Sequence, residues 1–217
     1  MASTNINPTR MELTRLKGRL RTAQRGHKLL KDKRDELMRR FWEIVYRNRE
    51  LRTRVEEGLV TANSAMAVAT AIMSPAFLEQ ALLYPKQRVQ LTTRLENLVG
   101  VNVPRYDVQT TLEDTSAIYP YGFAQTSGEL DTALGALAKV FQDMLELAEI
   151  EKTMQLLAEE IEKTRRRVNA LEHVMIPELQ KNIKYIAMKL EENDRSTKIR
   201  LMKVKDMVLE QMQEDKK

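Results

Sequence analysis

At 217 residues, with 31% charged and 5% aromatic side chains, the chain could make one or two globular domains but has too little bulky apolar material for a wide core. It has no Cys, which excludes a disulfide framework and a thiolate metal site, and two histidines, His27 and His173, cannot build a histidine-rich metal site by themselves. The net charge of +5 is unevenly spread: residues 10–54 hold 16 basic and 6 acidic side chains, 55–128 hold 4 and 7, and 129–217 hold 16 and 18, so the excess lies near the N-terminal end.

The first helix has a legible start. Asn7 suits the N-cap, Pro8 the first helical position, and Ile6 is placed to staple onto Met11, so a helix is expected from Pro8. Leu13, Leu16, Leu20, Ala23, His27, Leu30, Arg34, Leu37, Phe41, Ile44, Asn48, Leu51 and Val55 then recur in alternating steps of three and four. That spacing keeps one narrow seam on one side of a helix, and a seam so narrow demands a partner helix. It continues through Ala62, Ala65, Ala69 and Ile72 until Ser74 and Pro75 break it. A helix over 8–74 would be roughly 100 Å long, which predicts a rod rather than a compact domain. Its least charged run, 59–74, is too short for a membrane span and includes Thr61, Asn63, Ser64 and Thr70.

Residues 75–128 form a middle segment. A short helix is expected over 76–83, after which the helical period disappears. Val89, Leu91, Val99, Val101, Val103 and Val108, with Thr and Tyr among them, favour extended structure, and Gly100 suits the turn of a β-hairpin. Pro104 assigns its strand to an edge. Two strands alone are marginal, so the hairpin is expected to lean on the helices or on a partner. Residues 111–127, around Tyr119, Pro120, Tyr121 and Gly122, read as loop.

The second long helix is expected over 129–212, with Thr126 to Glu129 at capping-box spacing. Leu130, Leu134, Leu137, Phe141 and Met144 open its apolar stripe, and Met154, Leu157, Ile161, Val168 and Leu171 continue it. The phase then changes near Met175 and Pro177, where a kink is expected, and Leu179, Ile183, Ile186 and Leu190 take over. The chain thus reads as mostly α: a long antiparallel two-helix coiled coil, formed by the N- and C-terminal helices, with a short helix and a β-hairpin in the middle segment, all in one structural unit. Antiparallel pairing would bring Ala62, Ala65, Ala67, Ala69 and Ala71 near Ala133, Gly135, Ala136 and Ala138, and Arg47, Arg49, Arg52 and Arg54 beside Glu146, Glu149, Glu151, Glu159 and Glu160. It would also gather the basic residues of 10–40 with Lys181, Lys184, Lys189, Arg195, Lys198, Arg200, Lys203 and Lys205 into a positive tip.

No chemistry-bearing constellation emerges, and no cofactor or metal is expected. His27, Arg34 and Asn48 on the seam fit register-setting roles. His173 beside Glu172 is not a catalytic dyad, and the adjacent acids Glu56 and Glu57, Glu159 and Glu160, and Glu191 and Glu192 point about 100° apart on a helix, so they cannot converge on one substrate. Arg165, Arg166 and Arg167 diverge in the same way, and the twelve Met suit core filling. No phosphate-cradling glycine loop is present.

Two stretches, NPTRMELTRLKGRLRTAQRGHKLLKDKRDELM and RRRVNALEHVMIPELQKNIKYIAMKLEENDRSTKIRLMKVK, resemble the terminal helices of the D subunit of V-type rotary ATPases, and ENLVGVNVP resembles that family's middle segment. The resemblance implies a central-stalk axle that transmits torque between an ATP-hydrolysing hexamer and a membrane ion-translocating rotor, itself hydrolysing nothing. Implied partners are the alternating catalytic and nucleotide-binding subunits of the hexamer, the F subunit of the stalk, and a coupling subunit that leads to the rotor ring. The protein would be cytoplasmic, peripheral to the membrane and indirectly attached to it, consistent with an N-terminus lacking the apolar core of an export signal. Arg10, Arg15, Lys17, Arg21, Arg25, Lys198, Arg200 and Lys203 are the expected hexamer contacts. The hairpin is expected to touch the F subunit or to modulate turnover.

Two other classes compete. A coiled-coil scaffold or membrane-surface adaptor without a motor would favour a continuous apolar face on a basic helix, whereas this seam is narrow and interrupted by a hairpin insertion. Nucleic-acid binding would favour aromatics beside the basic tip, and few are there, so no nucleic-acid partner is expected.

Overall fold

The computed structural model describes residues 7–85, 88–110, 118–122 and 126–214. Helix α1 covers Arg10–Ile72 and α2 Pro75–Leu82; strands β1, Val89–Leu98, and β2, Val101–Thr110, form an antiparallel pair. Helix α3, Gly128–Ala170, leads through a π turn at Leu171–Met175 into α4, Ile176–Glu214. The chain forms two compact units, one from the stretch up to Arg34 together with that from Lys163 onward, the other from residues 35–162.

Local chemistry explains where the helices begin. Thr9, rather than Asn7, caps α1: its hydroxyl accepts the Glu12 N–H at 3.2 Å, while Asn7 contributes only its carbonyl, to the Thr9 N–H at 2.9 Å. Thr9 and Glu12 have the three-residue spacing that lets a cap hydroxyl reach the third helical N–H. Ile6, the proposed staple, lies outside the described residues. Pro75 opens α2 behind an extended Ser74, where a missing N–H costs nothing. At α3 the cap is Ser127, one residue beyond the expected Thr126; its hydroxyl accepts the Glu129 N–H at 3.3 Å and its carbonyl the Leu130 N–H at 3.0 Å.

In the first unit, Leu16 and Ala23 of α1 meet Leu179 and Ile186 of α4, and Leu13, Leu20, Leu171, Ile176, Ile183 and Leu190 pack around them. Arg10 pairs with Asp194 at 3.1 Å and His27 with Glu172 at 3.3 Å, which sets the antiparallel register here. The accommodation of Pro177 is a π turn just before it. Proline has no N–H for the carbonyl four residues back and its ring would crowd that oxygen. The preceding turn is widened instead: the Ile176 N–H donates to the Leu171 carbonyl, five residues back, and Pro177 falls in the first turn of α4. The extra residue also explains the phase change, because Leu171 and Ile176 both reach one core although five residues of regular helix would place them about 140° apart.

In the second unit, Leu37, Leu51, Val55, Ile150 and Leu157 are buried, and Phe41, Ile44, Met154 and Ile161 are half-buried. Leu30 is likewise half-buried and Val168 buried, both in the first unit. The expected stripe through Leu137, Phe141 and Met144 is exposed, and Ala133, Val140 and Ile150 occupy the interior instead. At one point the helices come close: a Cβ added to Gly58 of α1 would overlap Val140 Cγ2 of α3, so the α1 side of that contact admits only a glycine. Ala62, Ala65 and Ala69 are buried while Ala67 and Ala71 are exposed. Ile72 is 65% exposed, and Met73 takes its expected interior place, clustering with Ala69, Ala81 and Leu130. Thr153 in this unit and Thr164 in the first are also buried; threonine has valine's shape, so a seam admits it.

The hairpin turns at Val99 and Gly100, both with positive φ (53° and 81°), the pair of signs a type I′ turn requires. Asn97 supports it, its Oδ1 accepting the Gly100 N–H at 2.9 Å while its amide donates to Asn102 Oδ1 at 2.9 Å. The register sets Leu91 opposite Val108 and Leu95 opposite Pro104.

Candidate functional surfaces

The basic residues singled out in the sequence fall on α1 and α4 of the first unit, and all are exposed. Arg10 is held by Asp194 and Arg15 by Glu12 at 3.5 Å; both arginines are well exposed, where ion pairs contribute little and remain free to exchange partners. Among the described residues, Lys17, Arg21, Arg25, Lys198, Arg200 and Lys203 have no ion-pair partner, so this end presents uncompensated positive charge. Arg10 opens α1, and beyond its partner Asp194 helix α4 runs on to Glu214. That extension exposes Ile199, Leu201, Met202, Val204, Met207, Val208 and Leu209 among its lysines. The lysines there are legible in the sequence as a basic stretch; the signal for the exposed apolar residues is the absence of a facing seam on α1.

Electrostatics in the second unit converge on the hairpin. Of the arginines expected to meet acidic residues across the helices, Arg47 reaches Glu146, but Arg52 turns to Glu56 within α1 at 3.0 Å. Glu149 instead binds the hairpin, accepting from Arg105 Nη1 at 2.6 Å and from the Tyr106 N–H at 2.8 Å. Arg105 also donates to Glu96 across the strands at 2.5 Å, and these bonds, Glu96 first, hold its pKa above the ordinary guanidinium value. Arg94 and Asp107 pair at 2.6 Å on the same face. The hairpin therefore leans on α3 through charged groups.

Its other face differs. Val89, Leu91, Thr93, Leu95 and Asn97 of β1 alternate onto it with Asn102, Pro104, Tyr106 and Val108 of β2, and Leu95 is 74% exposed. Alternation is readable from the sequence; how far each face is exposed is not.

Tyr121 donates to Asp131 Oδ1 at 2.6 Å and tilts against Tyr119, tying the segment before α3 to that helix. Burial first, and then this bond, push the phenol above its ordinary range. His27 and Glu172 form an inter-helix tie, as a register role requires, and the half-buried Asn48 leaves its amide nitrogen unbonded. Among the described residues there is no cluster of three or more His, Asp or Glu able to hold a metal, and no helix long and apolar enough to cross a membrane.

Comparison with known proteins supplies the context for these surfaces. Residues 12–206 match the family model that describes the D subunit of ATP synthases. The chain is 60% identical over 211 residues to the D subunit of the V-type ATP synthase of Acetivibrio thermocellus, an alignment covering 97% of this chain and 95% of that protein. It is 58% identical over 217 residues to the protein of the same name from Clostridioides difficile, covering 100% and 97%, and 56% identical over 215 residues to that from Clostridium novyi, covering 99% of each.

Proposed function

The chain belongs to the ATP synthase D-subunit family, and from that premise we propose that it is the central-stalk subunit of a V-type ATPase, transmitting torque between a nucleotide-hydrolysing hexamer and a membrane ion rotor. The observation that carries this reading is the near full-length match to V-type D-subunit sequences by a chain whose terminal helices pack antiparallel on a narrow apolar seam. Such a core is thin, so much of its stability would come from enclosing partners. The role is mechanical rather than catalytic. An asymmetric shaft drives a ring of subunits only through contacts that differ in free energy between their open and closed states.

The exposed cations Lys17, Arg21, Arg25, Lys198, Arg200 and Lys203, with Arg10 and Arg15, are the hexamer-facing contacts in this reading, aided by the apolar residues interleaved on α4. The F subunit of the stalk and the coupling subunit engage residues nearer the middle of the chain, and the protein sits at the cytoplasmic side of the membrane by way of its complex.

The test is assembly of the complete ATPase with Lys17→Glu, Arg21→Glu, Lys198→Glu and Arg200→Glu combined. The expected result is retention of the stalk subunits with loss of ATP-driven ion transport. Transport at the wild-type rate by a complex containing the variant would overturn the assignment of this surface.

A further inference from the structure

The two strands of the hairpin are held to each other far more firmly than to the rest of their unit. Ten facing pairs join β1 to β2, from Val89 opposite Thr110 to Leu98 opposite Val101. By contrast, every residue of β1 up to Asn97 is exposed, and among the described residues of β2 only Val103 is buried. A two-stranded ribbon that buries so little is not kept on a protein body by hydrophobic contact alone.

The polar anchor is the carboxylate of Glu149 on α3, a side chain only 13% exposed. One oxygen accepts from Arg105 Nη1 at 2.6 Å and the other from the Tyr106 N–H at 2.8 Å. That N–H lies on the open edge of β2, so Glu149 supplies the acceptor that a further strand would bring. Arg105 is bound twice, because its Nε also donates to Glu96 across the strands at 2.5 Å. The consequence is asymmetric. When the hairpin leaves α3, Arg105 keeps Glu96, while Glu149 and the Tyr106 N–H exchange each other for water. No charge is then left buried without a partner, which is what makes the breaking of an ion pair costly. Nor does the ribbon have to open, since Asn97 bonds to Gly100 and Asn102 within the turn.

We propose that Glu149 is a latch and the hairpin a preformed arm: release of Arg105 and Tyr106 from Glu149 frees residues 89–110 from α3 as one body, with the strands still paired. The latch belongs to this chain alone and requires no partner subunit.

The chain has no cysteine, so pairs of introduced ones can carry nitroxide labels at chosen points. Leu95→Cys with Gln142→Cys reports the distance from the arm to α3. Val89→Cys with Leu95→Cys, roughly 20 Å apart along β1, reports the arm itself. In the full-length chain, pulsed EPR is expected to give one narrow distribution for each pair. Glu149→Ala places the strongest helix former on α3 and so preserves that helix. It is expected to shift the 95–142 distribution to longer and broader distances and to leave the 89–95 distribution unchanged. Arg105→Gln, on the arm rather than on α3, is expected to shift part of the population in the same way, because the Tyr106 N–H bond survives. A 95–142 distribution at its wild-type position in either variant would overturn the latch, as would one already broad before either substitution. Broadening of the 89–95 distribution in the variants would overturn it too, because the hairpin would then be melting rather than moving as one body.

Discussion

Leu16, Leu179 and Ile186 in one unit, and Ala62, Ala65, Ala69 and Ala133 in one stretch of the other, which elsewhere buries Leu37, Leu51 and Leu157, line interiors with side chains of very different volume. Where large aliphatics meet, side chains set the spacing and the interior is vulnerable to removal of atoms. Where alanines and Gly58 meet, backbone proximity sets the spacing and the interior is vulnerable to their addition. The second arrangement also leaves large residues outside, among them Leu137, Phe141 and Ile72, so a helix pair built on small residues keeps apolar surface for other contacts.

Truncation in the aliphatic interior of the first unit should have the largest effect. Ile186→Ala, at a fully buried position, is expected to cost about 2–5 kcal/mol through lost transfer energy and a cavity, read as faster amide hydrogen exchange in residues 13–30 and 179–190. The reciprocal change in the second unit is Gly58→Ala, where the new methyl meets the stiff Val140 side chain; a loss of about 1–3 kcal/mol is expected. The double variant with Val140→Ala should recover part of it. Equal stability of Gly58→Ala and wild type in thermal unfolding would refute close backbone approach as the organising feature.

Smaller effects sharpen the contrast at the middle segment. Val99 is β-branched at a positive φ, so Val99→Asn should stabilise the hairpin by about 1 kcal/mol, measured as slower exchange of its cross-strand amides. Tyr121→Phe should cost about 1 kcal/mol at neutral pH by removing the bond to Asp131. Because the folded phenol titrates above the unfolded one, that stabilisation is fully present below about pH 10 and is lost as pH rises through the folded pKa. Alkaline denaturation of Tyr121→Phe should therefore show a shallower loss than wild type over that range.

The legible parts of the molecule were those governed by neighbours in the chain. Leucine spacing from Leu13 to Leu51 announced a helix with one seam, Ser74 and Pro75 its interruption, and Gly100 a hairpin turn, because each acts through φ/ψ preference or a period of a few residues. The basic surface was readable in the same way, since charges on an exposed helix stay where the sequence places them. Thr153 and Thr164 carry no apolar signal in the sequence although threonine has valine's shape, and Leu137 and Phe141 read as interior because hydrophobicity alone does not report how near a second backbone comes.

By itself, then, the sequence determined two long helices around a hairpin, their breaks, and an excess of positive charge at one end, all consequences of local stereochemistry and composition. Tertiary structure alone decided that Glu149 turns from the helix arginines to Arg105 and Tyr106, that Gly58 and Val140 set the backbone spacing, that Pro177 is relieved by a π turn tied to Glu172 and His27, and that Val103 is the hairpin residue buried deepest. Each of these depends on which of several distant residues arrives within bonding distance, and that choice is made by the packing of the whole unit rather than by any segment's own preference.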